Sequence, residues 1–198
     1  CDAIVVESAG MGYRGGSVDG AMCRFELDHV TAHANCSRGL NFVVVDGRCE
    51  VLETRVFDVH GSGHADTQHD DDDVDCGGSE GVCKEEVAMA AFVASLPQNA
   101  LVLVAAMDEA SVRLKKTGRA AMRDAFGAEL IQDIGGRDGY AAILVKGHGA
   151  PIDEALNPYD GMRSGYKTGG FARVAWLAPG ASWAPTVTPA PPVSEWLR

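Results

Sequence analysis

The sequence predicts a single α+β domain, and three features carry that expectation. Residues 101–106 (LVLVAA) are apolar on both faces of an extended chain, which is the pattern of a central strand covered from both sides. Residues 40–57 hold two β-rich runs separated by Asp46-Gly47, the pair that favours a tight type I′ hairpin because both of its central residues tolerate positive φ. Helical patterns at 84–96 and after Asp108 alternate with these β-rich runs. The 198 residues suffice for one domain of about 150 to 180 residues with its own core and are too few for two ordinary ones.

Taken in order, residues 3–7 form a short β-rich run, residues 10–20 a glycine-rich loop, and residues 22–27 a second strand with partial alternation. After the hairpin the chain changes character. Residues 61–83 carry His64, His69, the acidic run 70–73, Asp75 and several glycines, and are expected to be an exposed acidic insertion. Residues 84–96 form an alanine-rich helix stopped by Pro97. In the stretch after residue 106, Asp108 is placed to cap a helix and Glu109 to favour its positive end. The apolar stripe of that helix is Leu114, Gly118, Ala121, Met122 and Ala125. A strand at 140–145 follows, so residues 101–146 read as a β-α-β unit whose loops bring Asp108 and Arg137 near each other. The segment from 146 to 170 is expected to be a long loop with little regular structure, and residues 171–177 give a last strand. The domain is thus placed at 1–178, and residues 179–198, with four prolines between 185 and 192, as an extended tail or linker.

A net charge of −11 supplies no basic stripe for phosphates, so neither nucleic acid nor membrane insertion is expected; no apolar run reaches the roughly 18 residues that a membrane helix needs. The chain opens at Cys1 without a charged-then-apolar leader and is expected to be a processed or excised piece of something longer. Six cysteines without a Cys-x-x-Cys pair point to disulfides and an oxidising compartment. The pairs expected are Cys76 with Cys83, both in one polar loop, and Cys1 with Cys23. Asn35-Cys36-Ser37 is a sequon, which makes Asn35 a candidate glycosylation site.

Several motifs lack the context that their chemistry needs. Gly10-Met11-Gly12-Tyr13-Arg14-Gly15 matches a dinucleotide fingerprint, yet the following residues do not promise the helix N-terminus that holds a pyrophosphate. Gly77-Gly78-Ser79-Glu80-Gly81 matches a hydrolase elbow without a buried strand before the serine. His60, His64 and His69 among aspartates resemble metal ligands, but their spacing fits no calcium loop, and the reading is a solvated acidic loop. No nucleophile with a neighbouring base emerges, and neither a cofactor nor a metal is called for. Asp108 and Arg137 have ordinary readings as a helix cap and a surface charge. Their sharper reading is a polar ligand site, since an arginine fork and a carboxylate together satisfy neighbouring hydroxyls and Tyr140 offers a ring face.

Ser37-Arg38-Gly39-Leu40-Asn41, Arg55-Val56-Phe57-Asp58, Asp108-Glu109-Ala110-Ser111, Gly136-Arg137-Asp138-Gly139-Tyr140 and Lys146-Gly147 occur in that order. This ordered set resembles the interleukin-like EMT inducer and PANDER-like domain family, over residues 3–177 and with the acidic insertion as the main departure. The same domain forms the stem of protein O-mannose N-acetylglucosaminyltransferase. The resemblance implies two packed β-sheets, mixed and largely antiparallel, flanked by two to three helices. It also implies a secreted or lumenal setting, disulfides and no catalysis. In the glycosyltransferase stem the domain is lectin-like and holds a sugar through two arginines and an aspartate; the matching residues here are Arg38, Asp108 and Arg137. A tryptophan of the family pattern is replaced by Tyr140. The function expected is therefore a non-catalytic extracellular module that binds a glycan or glycoprotein. The alternative is a structural or cytokine-like module that binds other extracellular proteins through a surface patch.

Overall fold

The computed structural model describes residues 1–10, 22–33, 36–60, 83–159 and 170–179. Its strands are β1 (Ala3–Gly10), β2 (Met22–Leu27), β3 (Val30–His33), β4 (Gly39–Val45), β5 (Val51–Phe57), β6 (Leu101–Asp108), β7 (Gly139–Val145), β8 (Asp153–Asn157) and β9 (Phe171–Leu177). Two helices, α1 (Lys84–Ser95) and α2 (Lys116–Phe126), and a 3₁₀ turn, Leu130–Asp133, complete the described elements. The α+β class expected from the sequence is the one observed.

All nine described strands belong to one hydrogen-bonded sheet, but the sheet forks. One limb is β5-β4-β6-β7-β8 and is antiparallel throughout. The other is β3-β2-β1-β9, also antiparallel. The limbs meet where β1 pairs in parallel with the last residues of β6, Ala9 with Met107 and Gly10 with Asp108.

Side-chain alternation explains how the limbs stack. Leu40, Phe42 and Val44 of β4, Val102 and Val104 of β6, and Ala142 and Leu144 of β7 face α1 and α2, against Met89, Val93, Met122 and Phe126. The residues between them, Val43, Leu103, Ala105, Ala141 and Ile143, face the second limb and pack on Ile4, Val6, Phe25, Leu27 and Val174. The central strands are therefore apolar on both faces because each face is covered by a different layer. Phe42, Phe57 and Phe92 cluster with ring centroids 5.5 to 5.7 Å apart and pin α1 to the β4–β5 hairpin.

A single hydroxyl sits at the fork. The β6–β7 ladder runs from Leu101–Val145 to Ala105–Ala141, and its next pair would be Ala106 with Tyr140. Instead the buried Ser8 Oγ donates to the Ala106 carbonyl at 2.6 Å and accepts from the Tyr140 N–H at 3.0 Å. Ser8 thus replaces one ladder bond with two bonds through its side chain, and β7 parts from β6 as β1 takes its place. Glycine makes this junction possible. A Cβ at Gly10 would stand 1.8 Å from the Arg137 carbonyl oxygen, and one at Gly170 would stand 1.9 Å from that of Asn157.

Several local expectations are corrected. The helix after β6 does not start at Asp108: α2 begins at Lys116, and Asp108 is the last residue of β6 with φ +63°. The N-terminus of α2 is instead satisfied from α1, where the buried Glu86 accepts from the Gly118 N–H at 2.6 Å. Residues 101–146 are not a parallel crossover, because β6 and β7 pair antiparallel. Asp46-Gly47 does not form a two-residue turn. Asp46 Oδ1 accepts from the N–H groups of Arg48 and Glu50, and Cys49 rather than Gly47 has positive φ. The two-residue turn with both φ positive lies at Asp28-His29, between β2 and β3. The loop expected between 146 and 170 contains β8.

Cys1 does not pair with Cys23. The β1–β2 register sets Cys23 opposite Ser8, so Cys1 lies about 20 Å away at the other end of β1, far beyond the reach of a disulfide. Cys1 pairs with Cys49 in the β4–β5 loop, and Cys23 with Cys36 just after β3, with Cα separations of 4.9 and 5.9 Å. Cys83 is buried. The pairing of Cys76 with Cys83, the sequon at Asn35, the acidic insertion with His64 and His69, and the tail beyond residue 179 lie outside the described residues.

Replacing Ser8 with alanine strands a buried carbonyl and a buried N–H, so unfolding in urea should show stability reduced by about 2 kcal/mol with an unchanged dependence on denaturant. An unaltered midpoint would mean that the fork does not depend on this hydroxyl.

Candidate functional site

Antiparallel pairing of β6 with both β4 and β7 puts the exit of β6 beside the entrances of its two neighbours. Arg38 precedes β4, one residue beyond the Gly39–Met107 pair; Asp108 ends β6; Arg137 precedes β7. The three sequence-predicted charges therefore gather at the forked end of the sheet. Asp108 and Arg137 thus lie at the same end of the sheet, near each other as the sequence predicts, but through antiparallel pairing of β6 with β7 rather than through a β-α-β unit.

Each is held by its backbone or by a neighbour. Arg38 makes a forked pair with Asp58, Nε to Oδ1 at 3.2 Å and Nη2 to Oδ2 at 2.7 Å. Its pKa is raised by the hydrogen bond to Asp58 and, more weakly, by the fields of Asp58 and Asp108; partial burial acts in the opposite sense. The influence of Asp108 on Arg38 places those two charges within one electrostatic environment. Glu109, which is buried, ties the two loops together: Oε2 accepts from the Arg137 N–H at 2.7 Å, and Oε1 from the Ser111 N–H and hydroxyl. Asp138, also buried, accepts from the N–H groups of Gly135 and Tyr159 at 2.7 and 2.6 Å.

Further out, the Arg119 guanidinium anchors the approach to this corner by donating to the carbonyls of Leu114, Ile131, Gln132 and Ile134. Burial lowers its pKa, opposed by the fields of Asp133 and Glu86.

Arg137 itself lies over the ring of Tyr159, with its guanidinium carbon 5.7 Å from the ring centroid, an arrangement contributing about 0.5–1 kcal/mol at an exposed site. Neither Asp108 nor Arg137 makes a side-chain hydrogen bond or ion pair among the described residues. Both are non-glycine residues at positive φ, +63° and +65°. Such backbone is held only when its surroundings over-determine it.

Tyr140 does not offer a ring face to this corner. It is completely buried in the helix-side core, and its hydroxyl donates to Glu154 Oε1 at 2.8 Å. Burial, reinforced by the Glu154 charge and hydrogen bond, raises its pKa well above 10.0. The half-buried aromatic ring beside Arg137 is that of Tyr159, which the sequence reading missed. Asn157-Pro158-Tyr159 carries no signal that ties it to Arg137, and only the unforeseen β8 brings it there.

The proximity of Cys1, Asp28 and Cys49 makes no metal site, since the cysteines form a disulfide and Asp28 Oδ1 accepts from the N–H groups of Asp2 and Ala3.

The sequence profile of the interleukin-like EMT inducer family matches residues 38–148, more than half of the chain. The chain belongs to that family. The matched span starts at Arg38 and includes Asp108 and Arg137, so the whole three-charge corner lies in the interleukin-like EMT inducer region. Comparison with curated proteins gave no match. Family membership and the two disulfides seen among the described residues fit a cytokine-like or extracellular type of module.

The Tyr140 phenol gives a pH signature. Below pH 10 the phenol is protonated in the folded and unfolded chain alike. Above it the unfolded chain loses the proton and the folded chain retains it, so stability falls as pH rises. Thermal melts should show this decline in the wild type and a weaker one in Tyr140→Phe. Equal slopes would mean that the phenol is not held in the neutral form.

Proposed function

We propose that the forked end of the sheet is the ligand face of a non-catalytic, extracellular carbohydrate-binding module. The observation that supports this most is the pairing of strain with unspent charge: Asp108 and Arg137 hold left-handed backbone while their side chains lack a polar partner among the described residues. A purely structural corner could relax by placing glycine at both positions. Here the backbone cost, of order 1–3 kcal/mol for each residue, accompanies a carboxylate and a guanidinium presented at the end of the sheet.

The chemistry suits hydroxyl-rich ligands. A guanidinium donates along a fixed fork, and a carboxylate accepts from two adjacent hydroxyls. Arg137 is pre-positioned on Tyr159, and Arg38 on Asp58, so little side-chain freedom is lost when a sugar binds. Tyr159 supplies the aromatic surface that the sequence alone predicts for Tyr140, and the ligand set is Arg38, Asp108 and Arg137 with Tyr159 beside them. The setting is extracellular or lumenal, and the partner is a glycan or a glycoprotein.

One observation favours a second reading, a cytokine-like module that binds protein. Arg38 already spends its fork on Asp58, which suits a flat charged patch as well as a sugar clamp. A glycan array separates the two. The carbohydrate reading expects hits that weaken by about tenfold or more in Arg137→Ala and Asp108→Asn, with melting temperatures unchanged. An array without hits, or hits insensitive to both substitutions, would leave the protein-binding reading.

A further inference from the structure

Arg38 and Asp58 meet because the β4–β5 hairpin closes at the forked end of the sheet. Leu40 pairs with Phe57, so Arg38 stands just before β4 and Asp58 just after β5. Gly39 lets the two chains approach this closely: its φ is +104°, and a Cβ there would stand 2.1 Å from the Phe57 carbonyl oxygen and 2.9 Å from the Asp58 Cα. Asp58 is steadied further by the His60 N–H, which donates to Oδ1 at 3.2 Å. The result is a carboxylate held in the fork of a guanidinium at the surface, with the Arg38 side chain 31% and that of Asp58 39% exposed.

This is the geometry in which an arginine grips the carboxylate, sulfate or phosphate of a ligand. Here an acid of the protein already fills that position. An anionic group on a sugar finds the fork closed: it must displace Asp58 or lie beside it as a second negative charge. A hydroxyl meets no such penalty, since it can accept from a guanidinium or donate to a carboxylate.

The charges around the fork strengthen this exclusion. Asp108 acts on Arg38 through its field. Arg137 is also set among acids: Glu109 accepts from its N–H at 2.7 Å, and Asp138 accepts from the N–H of Tyr159, whose ring carries the guanidinium. Glu109 and Asp138 are buried, where salt screens charge poorly. Asp58, Asp108, Glu109 and Asp138 thus surround Arg38 and Arg137, in a chain whose net charge is −11.

Resting on the carbohydrate reading of this corner, we infer that Asp58 is a specificity-determining residue: by filling the Arg38 fork it restricts the corner to uncharged sugars and turns away uronate, sialylated and sulfated glycans. Its part is to repel the wrong ligand rather than to hold the right one.

Calorimetric titration of the full chain at pH 7 with two matched pairs, the methyl β-glycosides of glucose and glucuronic acid and those of galactose and galacturonic acid, tests this. Within each pair only the group at C6 differs, a hydroxymethyl against a carboxylate. The wild type is expected to bind a neutral member and to bind its uronate partner at least about tenfold more weakly. Asp58→Asn and Asp58→Ser both open the fork; uronate affinity should rise by about tenfold or more and fall again with added salt, while neutral affinity stays within about threefold. Retained neutral binding shows that a variant is folded, and adding Arg38→Gln to Asp58→Asn should remove the uronate binding gained. A wild type that binds uronate as well as its neutral partner, or folded Asp58 variants that keep the wild-type preference, would overturn the role of Asp58 and leave the carbohydrate reading standing. Binding of neither member of either pair, by wild type and variants alike, would overturn the carbohydrate reading and this role with it.

Discussion

The structure depends on one buried hydroxyl placed between two strands. Ser8 stands where Ala106 and Tyr140 would otherwise pair, and bonds to both. An antiparallel ladder that continued would keep β6 and β7 together to their ends and leave β1 without a place on β6. By satisfying both backbone groups through a side chain, Ser8 lets β7 leave without the cost of about 1–3 kcal/mol for each buried unpaired group. The second limb can then attach through Ala9 and Gly10 and fold back over the first, which creates the core around Phe25, Leu103 and Ile143. Separation of the strands and layering of the sheets are thus two results of one local substitution of hydrogen bonds.

The same separation shapes the polar corner. Where β6 and β7 part, their terminal residues leave the regular ladder and require other partners. Buried carboxylates supply them: Glu109 collects the amides of Ser111 and Arg137, and Asp138 those of Gly135 and Tyr159. These acids are structural, holding loops by accepting from main-chain donors. Asp108 and Arg137 take left-handed backbone within that framework, and their side chains make no hydrogen bond or ion pair among the described residues. The opposite end of the sheet is closed differently. There the buried Lys146 ammonium donates to the carbonyls of Val93, Ala94 and Leu96 and caps the C-terminus of α1, while a groove of about 360 Å³ runs from Leu52 to Asn99. Lys146, one of the family-like motif residues, is thus part of the scaffold and not of the corner.

The elements best read from sequence were those whose pattern reflects burial alone. β6 and β4 are apolar on both faces because each is covered by two layers, and no long-range knowledge is needed to see it. Helix α1 was legible from its composition and Pro97. The features that were missed depend on tertiary partners. The turn at Asp28-His29 lacks the glycine that usually marks positive φ; it is fixed by bonds from Asp28 to the backbone of Asp2 and Ala3. Helix α2 starts late because its cap, Glu86, comes from another helix. The cysteine pairs follow strand register, which sequence spacing does not reveal. For the corner, the ordered motifs indicated Arg38, Asp108 and Arg137, but the aromatic neighbour was misassigned. A tyrosine next to Arg-Asp-Gly in sequence points into the core by strand alternation, and the ring beside Arg137 comes from residue 159, beyond β8.

We propose that a ligand sits at the forked end of the sheet and not in the groove at its far end. Backbone amide shifts of the ¹⁵N-labelled chain, followed during titration with a panel of neutral and acidic methyl glycosides, test it most directly. Saturable shifts are expected, confined to the amides around Arg38, Asp108 to Ser111, Gly136 to Asp138 and Tyr159. Shifts clustered instead around Leu52 and Ser95 to Asn99, or no saturable shift with any glycoside, would contradict it.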